Sequence, residues 1–438
     1  MRIRYGALTK MPHHSVAPIH VSLHHTLPLP RHHTLPLPLH PILSAPHIPE
    51  SPSRSRMEHI KTSERLVALD VFRGLTVAGM LLVNNPGTWG AIYPPLGHAA
   101  WHGWTPTDLI FPFFLFIVGI TTHLSLSARL ARGTGDAALR RQVLRRGALI
   151  VLIGWTLATL PWYPITRFTE MRIPGVLPRI GIVYMFAALL TLRASVRQIV
   201  GMLVVILFGY WFAMTLLPVP GGCDLGALCL SDPSRTLAAW FDRALLDGHL
   251  WKGTKTWDPE GPLSTLPAIG TALLGVLCGR WLALKERPLV ERLNAMFAVG
   301  ALLMVAGLMW HWSFPINKGL WTSSYVVFTA GMAAVAIATI TWIIDVQGVT
   351  WGTRPLVIYG VNPLVAFAGS GAMARIIYSL WTVQYDGKQV AVQAAVYKSV
   401  FASWLSPRDA SLAFAVCFVL FWYAVLAVLY RRNWILKV

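Results

Sequence analysis

Three ionisable side chains, His98, His102 and Asp108, lie close together in the stretch GHAAWHGWTPTDLIFPFFLFIVG, where a polar, tryptophan-rich turn runs into a long apolar segment. Ionisable groups at the mouth of a membrane span are costly unless they are paired or used. Histidine titrates near neutral pH and suits general-base or nucleophilic work, although a histidine in a loop is ordinarily just solvated. Here Trp89, Trp101 and Trp104 frame the turn, and Asp108 stands where it can orient an imidazole or cap the following helix. On residue chemistry alone, His98 and His102 compete for the role of base.

A second polar set lies on the preceding apolar run, LVALDVFRGLTVAGMLLVNN. Asp70 and Arg73 are three residues apart and share a helix face. Asn84 returns to roughly the same stripe, about 21 Å further along the axis. One face therefore offers a cation suited to an anion at one end and an amide at the other; an Asp–Arg pair that only fixes helix packing is the simpler alternative. Arg179, in RIPGVLPRIGIVY, needs an acid, a carbonyl or an anionic ligand if it is buried. Asp258 and Glu260 could accept hydrogen bonds from sugar hydroxyls or bind an amine, and as solvated loop acids they would need no role. Asn317, Lys318 and Trp321 fall together at the start of another apolar run.

The elements that must hold these groups are membrane helices. Of the 438 residues, 55% are hydrophobic and 13% charged, against about 25% charged in globular domains. Ten runs are long enough to cross the bilayer, which takes roughly 20 residues of helix: near 66–84, 107–128, 144–162, 176–193, 197–217, 264–284, 294–312, 321–344, 355–380 and 410–430. The expected fold is an all-α polytopic membrane protein with about ten transmembrane helices and both termini cytoplasmic. The net charge of +19 fits this picture. Its arginines and lysines gather in the linkers 129–146, 193–197 and 280–292 and at the C-terminus, all on one face under a ten-span count. No basic stripe with interleaved aromatics suggests nucleic acid. Loop 218–263 falls on the opposite, extracytoplasmic face, where Cys223 and Cys229 form a disulfide or remain two thiols; no metal-ligand spacing is present. Residues 389–405 read as an interfacial amphipathic helix or a short re-entrant segment. Residues 1–56, rich in Pro and His, are expected to be a disordered extension from a start codon assigned too far upstream, with the domain over 57–438.

The segments LDVFRG, LLVNN, GHAAWHGWTPTDLIFPFFLFIVG, RIPGVLPRIGIVY, DPEGPLSTLPAIGTALLG and FPINKGLWTSSYVVFTAG, taken in order, resemble the family of the lysosomal heparan-α-glucosaminide N-acetyltransferase and its bacterial relatives. The resemblance implies transfer of acetyl from cytoplasmic acetyl-CoA, with no metal, to the amino group of a glucosamine-type sugar on the other side of the membrane. It places the active histidine on His98 and a functional asparagine on Asn84. Arg73, Asp70 and Arg179 then fall to the donor, and Trp101, Asp108, Asp258, Glu260 and Lys318 to the acceptor. The expected setting is a bacterial cytoplasmic (inner) membrane, with the lipid bilayer and an amino sugar or envelope glycan as partners and a homodimer as the assembly. O-acetylation of a glycan and amino-sugar or ion transport are the competing readings. The membrane part shows no internal repeat, which counts against transport.

Overall fold

The computed structural model describes residues 66–436; the extension expected over 1–56 lies outside them. Among the described residues thirteen α-helices are five residues or longer. Helix α1 (Val67–Asn84) is apolar along its length and stops where Pro86 prevents continuation, with Asn85 Nδ2 donating to the Leu81 carbonyl at 2.8 Å. Helix α2 (Pro106–Ala131) has Pro106 in its first turn and Asp108 accepting from the backbone N–H of Thr105, half of a capping box. Then follow α3 (Asp136–Thr159), α4 (Val176–Thr191), α5 (Val196–Leu216), α6 (Leu237–Leu246), α7 (Pro262–Leu282), α8 (Leu289–Trp310) and α9 (Ser323–Thr341), which continues as a wider turn to Val346. Last come α10 (Thr353–Val361), α11 (Pro363–Arg375), continuing to Leu380, α12 (Val392–Val396) and α13 (Pro407–Arg431).

Eight of the described helices are long and apolar enough to cross a membrane, and the chain is a helical multi-pass membrane protein. The two other expected spans are helical but differ in kind. Helix α4 has 16 residues, and the first half of α3 carries Arg140, Arg141, Arg145 and Arg146, so its apolar part is short. The expected span 355–380 is broken at Asn362, where Pro363 removes a backbone donor; the part long enough to cross is Pro363–Leu380. Segment 389–405 begins in an antiparallel hairpin, Thr382–Tyr385 with Lys388–Ala391, before turning into α12.

Helix α9 is the spine. Tyr325, Val326, Phe328, Ala330, Ala333 and Ile337 are buried on all sides by neighbouring helices. Its length separates two chemically different ends. Near the start, Tyr325 donates its hydroxyl to the Asp108 carbonyl (2.5 Å). Near the finish, Asp345 accepts from the backbone of Val67 and Ala68 at the head of α1. Twenty residues of helix put these ends about 30 Å apart. The arginine-rich linkers meet at the Asp345 end: Arg193 pairs with Asp136 (2.7 Å), and Arg280 donates to the carbonyls of Thr191 and Ala194.

Helices α2 and α7 touch backbone to backbone through Gly119 and Gly275; a methyl at Gly119 would run into the Ala272 carbonyl, and one at Gly275 into that of Phe116. Gly119→Ala is therefore expected to push apart the two helices that carry Asp108 and Ser264, costing about 1–3 kcal/mol. The readout is a lower thermal unfolding midpoint in detergent; an unchanged midpoint would show that the contact is loose.

Candidate active site

Asp108 is the fixed point. It is 1% exposed, at the third position of α2, and its carboxylate serves two masters. Oδ2 accepts from the backbone N–H groups of Ala99 and Thr105, both at 3.0 Å, which folds the 97–105 turn against the helix start. Oδ1 stands 2.7 Å from Nδ1 of His98. Orientation and capping, alternatives from sequence, are thus performed by the two oxygens of one carboxylate. The His98 side chain is 47% exposed, and with Nδ1 held by the acid behind it Nε2 is the nitrogen left for chemistry, the arrangement of a general base or nucleophile.

Lys318 comes from a loop 220 residues away in sequence. Its Nζ is 3.0 and 3.3 Å from the two ring nitrogens of His98 and 3.5 Å from Asp108 Oδ1. Near-equal distances to both nitrogens put the amine against the ring rather than in line with one lone pair. Burial pulls the Lys318 pKa below the ordinary lysine value, opposed by the attraction of Asp108 and Glu260. The loops carrying His98 and Lys318 are stitched together elsewhere. Gly103 N–H donates to the Ile316 carbonyl (2.8 Å), and fully buried Asn317 donates its amide to the Trp101 carbonyl (3.0 Å) and accepts from Leu320 N–H (2.8 Å). His102 turns toward Asn317 at 3.4 Å, away from the carboxylate, and burial lowers its pKa. Between the two candidate histidines, the one with a carboxylate partner is His98.

One wall at the His98 end is built by residues 218–263. Cys223 and Cys229 are joined as a disulfide. Trp101 donates its indole N–H to the Leu230 carbonyl (2.8 Å) and meets Trp257 edge to face at 5.2 Å. Arg172 makes a two-point contact with Asp258 (2.8 and 2.5 Å) and also binds Glu260. Its pKa rises because both acids favour its charge. Asp258, expected to face the acceptor, is 2% exposed and also accepts from the N–H groups of Trp251 and Glu260. Its lone pairs are consumed by the loop, so it is an anchor rather than an open acceptor. Asp242 on α6 receives the Asp258 N–H (2.9 Å), and burial pushes its pKa up to about 7.

Arg179, assigned with Arg73 and Asp70 to the donor, lies at the other end of the bundle from them. It is 1% exposed, contacts the Ser264 hydroxyl and the Gly261 carbonyl, and stacks on Trp321 at 5.1 Å. Trp321 in turn packs on Tyr325 and Phe111, so Arg179 belongs to the His98 end. Arg73 pairs with Asp70 at 3.2 Å and donates to the Gly360 carbonyl (3.1 Å) at the Asp345 end. Asn84 is exposed at the last turn of α1, and no hydrogen bond links it to His98. Arg172, Asn317 and Asp242 were missing from the expected site. Scarce acids at 258 and 260 were a signal that a cation must face them. Among the described residues no His, Cys, Asp and Glu group could hold a metal ion.

The model of the family described as "Heparan-alpha-glucosaminide N-acetyltransferase, catalytic" matches residues 65–311, which include His98, Asp108, Arg172 and Arg179. The chain belongs to this family. It is 32% identical to the human heparan-alpha-glucosaminide N-acetyltransferase and 30% identical to the mouse protein, each over 378 residues covering 73% of this chain and 55% of the relative. The chain thus spans about half the length of the curated relatives it matches. Family membership covers the His98–Asp108 pair, whereas Lys318 lies beyond the matched region.

Proposed function

We propose that the chain is a membrane acetyltransferase that takes acetyl from acetyl-CoA at its arginine-rich end and delivers it to the amino group of a glucosamine-type sugar at the His98 end. The observation that carries this reading is the carboxylate-held imidazole at one mouth of the bundle, in a chain of this family. Acetyl-CoA would supply the acyl group already activated as a thioester. A sugar amine reaches the site largely as an ammonium and must lose a proton before it can attack. His98 is placed to take that proton, while Asp108 keeps Nδ1 protonated and steadies the imidazolium. In the direct route the C–S bond breaks as the new C–N bond forms, and the coenzyme A thiolate leaves and takes a proton from the imidazolium. If His98 Nε2 attacks the thioester first, that thiolate leaves at this step and the sugar amine then displaces the imidazole from the acetyl group. Lys318 offers an ammonium beside the reacting nitrogen, and Asn84 an amide, to oxygen charge developing on the acyl carbon. Trp101 and Glu260 line the acceptor side. Arg73 supplies positive charge at the donor end, and the basic linkers gathered there support a cytoplasmic side for it.

The test is purified protein in liposomes with acetyl-CoA on one side and a panel of glucosamine derivatives on the other. Base-stable acetylated sugar should form only when both are present. Sugar flux without acetyl-CoA would favour a transporter, and base-labile product an O-acetyltransferase. Labelled acetyl trapped on His98 without acceptor would select the two-step route.

Lys318 should show itself in the pH profile. Because burial lowers its pKa, its charge is lost at a lower pH than that of an exposed lysine, and activity depending on it falls on the alkaline side. Lys318→Arg should move that limb to higher pH, and Lys318→Met should lower kcat by about 10-fold to 100-fold below the limb and approach the parent above it. An alkaline limb that stays put in Lys318→Arg would remove the role.

A further inference from the structure

Several arginines at the Asp345 end are engaged within the protein: Arg73 by Asp70, Arg193 by Asp136 and Arg287 by Glu291 as ion pairs, and Arg280 and Arg292 by donating to helix-end carbonyls. Arg354 and Arg431 differ from these, and from exposed arginines such as Arg140 and Arg141, in facing one another across a cavity. Neither has a hydrogen-bond or ion-pair partner among the described residues, yet both line one open cavity of about 110 Å³ between α10 and the last turns of α13. Ile358 and Ala427 form the apolar part of its lining, and Tyr423 and Tyr430 bring phenol groups. Its volume is several times the roughly 10–15 Å³ that admits one water. No acid lines it.

Its position is set by α13. That helix starts beside the outer turn, where Asp409 meets the Tyr93 hydroxyl at 2.5 Å and Ser411 donates to the Thr88 carbonyl. The 22 residues from Asp409 to Arg431 carry the chain about 33 Å, to the end opposite His98. Asn362, bonded to the Trp434 carbonyl (3.0 Å) and to Leu436 N–H, pins α10 to the chain that follows α13. The cavity walls are therefore tied together.

We propose that this cavity is a phosphate-binding site. Two planar guanidinium forks with no internal acid match the oxygens and charge of a phosphate, and two phenols add neutral donors. The same chemistry could come from a phosphate of coenzyme A or from an anionic lipid headgroup at the membrane surface; the coenzyme source rests on the acetyltransferase reading, the lipid source does not.

The experiment uses the full chain in detergent and the variants R354Q, R431Q and the double variant, with R432Q as a control for simple charge loss. Arg432 stacks on Trp434 and does not line the cavity. Coenzyme A and dephospho-coenzyme A are titrated by calorimetry, and retention of phosphatidylglycerol against phosphatidylcholine is read by native mass spectrometry. Loss of a charged contact should weaken binding about 10-fold or more per arginine. Weaker coenzyme A binding in the double variant, with dephospho-coenzyme A unaffected, assigns the site to the 3′-phosphate. Selective loss of phosphatidylglycerol assigns it to lipid. A double variant that keeps both, or losses matched by R432Q, overturns the proposal. Failure of the parent to bind coenzyme A would count against the acetyltransferase reading alone, because the lipid arm still decides the cavity.

Discussion

His98→Ala is expected to yield a folded protein whose acetyl transfer is reduced by about 10²–10⁴-fold, the range that positioned acid–base groups contribute. The two effects separate because of where the ring sits. Nearly half of its surface is exposed, so removing it leaves little unfilled volume. Asp108 retains the N–H donors of Ala99 and Thr105 and the nearby Lys318 ammonium, so no buried charge is left without partners. The unfolding midpoint should stay close to the parent's while turnover collapses. Parent-like turnover would remove His98 from the chemistry, and an unfolded variant would show that the ring has a packing role its exposure does not suggest.

Asp108→Asn should be worse for the molecule as a whole. An amide of the same shape presents one acceptor oxygen and one NH₂ group, whereas the site has N–H donors on both sides. One donor must then face another donor: either His98 loses its proper tautomer or the Ala99 and Thr105 N–H groups lose their acceptor. The first outcome should lower kcat at least 10²-fold. The second should cost about 1–3 kcal/mol of stability. Lys318 also loses the negative charge 3.5 Å away. Thr105→Ala separates the roles: it deletes the hydroxyl's contacts with the Gly97 carbonyl (2.7 Å) and with Asp108 Oδ2 (3.1 Å) while leaving Oδ1 on His98, so it should lower the unfolding midpoint and spare turnover per folded molecule. If Asp108→Asn were destabilised but fully active once folded, the carboxylate would be a helix cap and nothing more.

The pairing of His98 with Asp108 was legible because both lie within one short segment, where an N-terminal cap and an imidazole must share the same turn. The membrane helices were legible from apolar length. Where the sequence reading diverged, the cause was long-range. Asp258 carries the signature of a free loop acid, and its saturation by Arg172 depends on a contact across 86 positions. Arg179 and Arg73 look alike as cations in apolar runs; that they occupy opposite ends follows from the direction in which each helix is threaded. Lys318 could be suspected from its company, but its approach to His98 depends on a loop–loop seam held by Asn317 and Gly103. The interruption at Asn362 hides in hydropathy because apolar residues flank it on both sides.

The imidazole and the wall formed by residues 218–263 hang from different supports. The former is hung from a helix end and the buried phenol of Tyr325, the latter from the Arg172–Asp258 clamp and the Cys223–Cys229 link. On the proposed function, divergence can therefore remodel which glycan is accepted by rewriting the 218–263 segment while leaving the His98 ring in place. Relatives with the same chemistry and different sugars should vary there first.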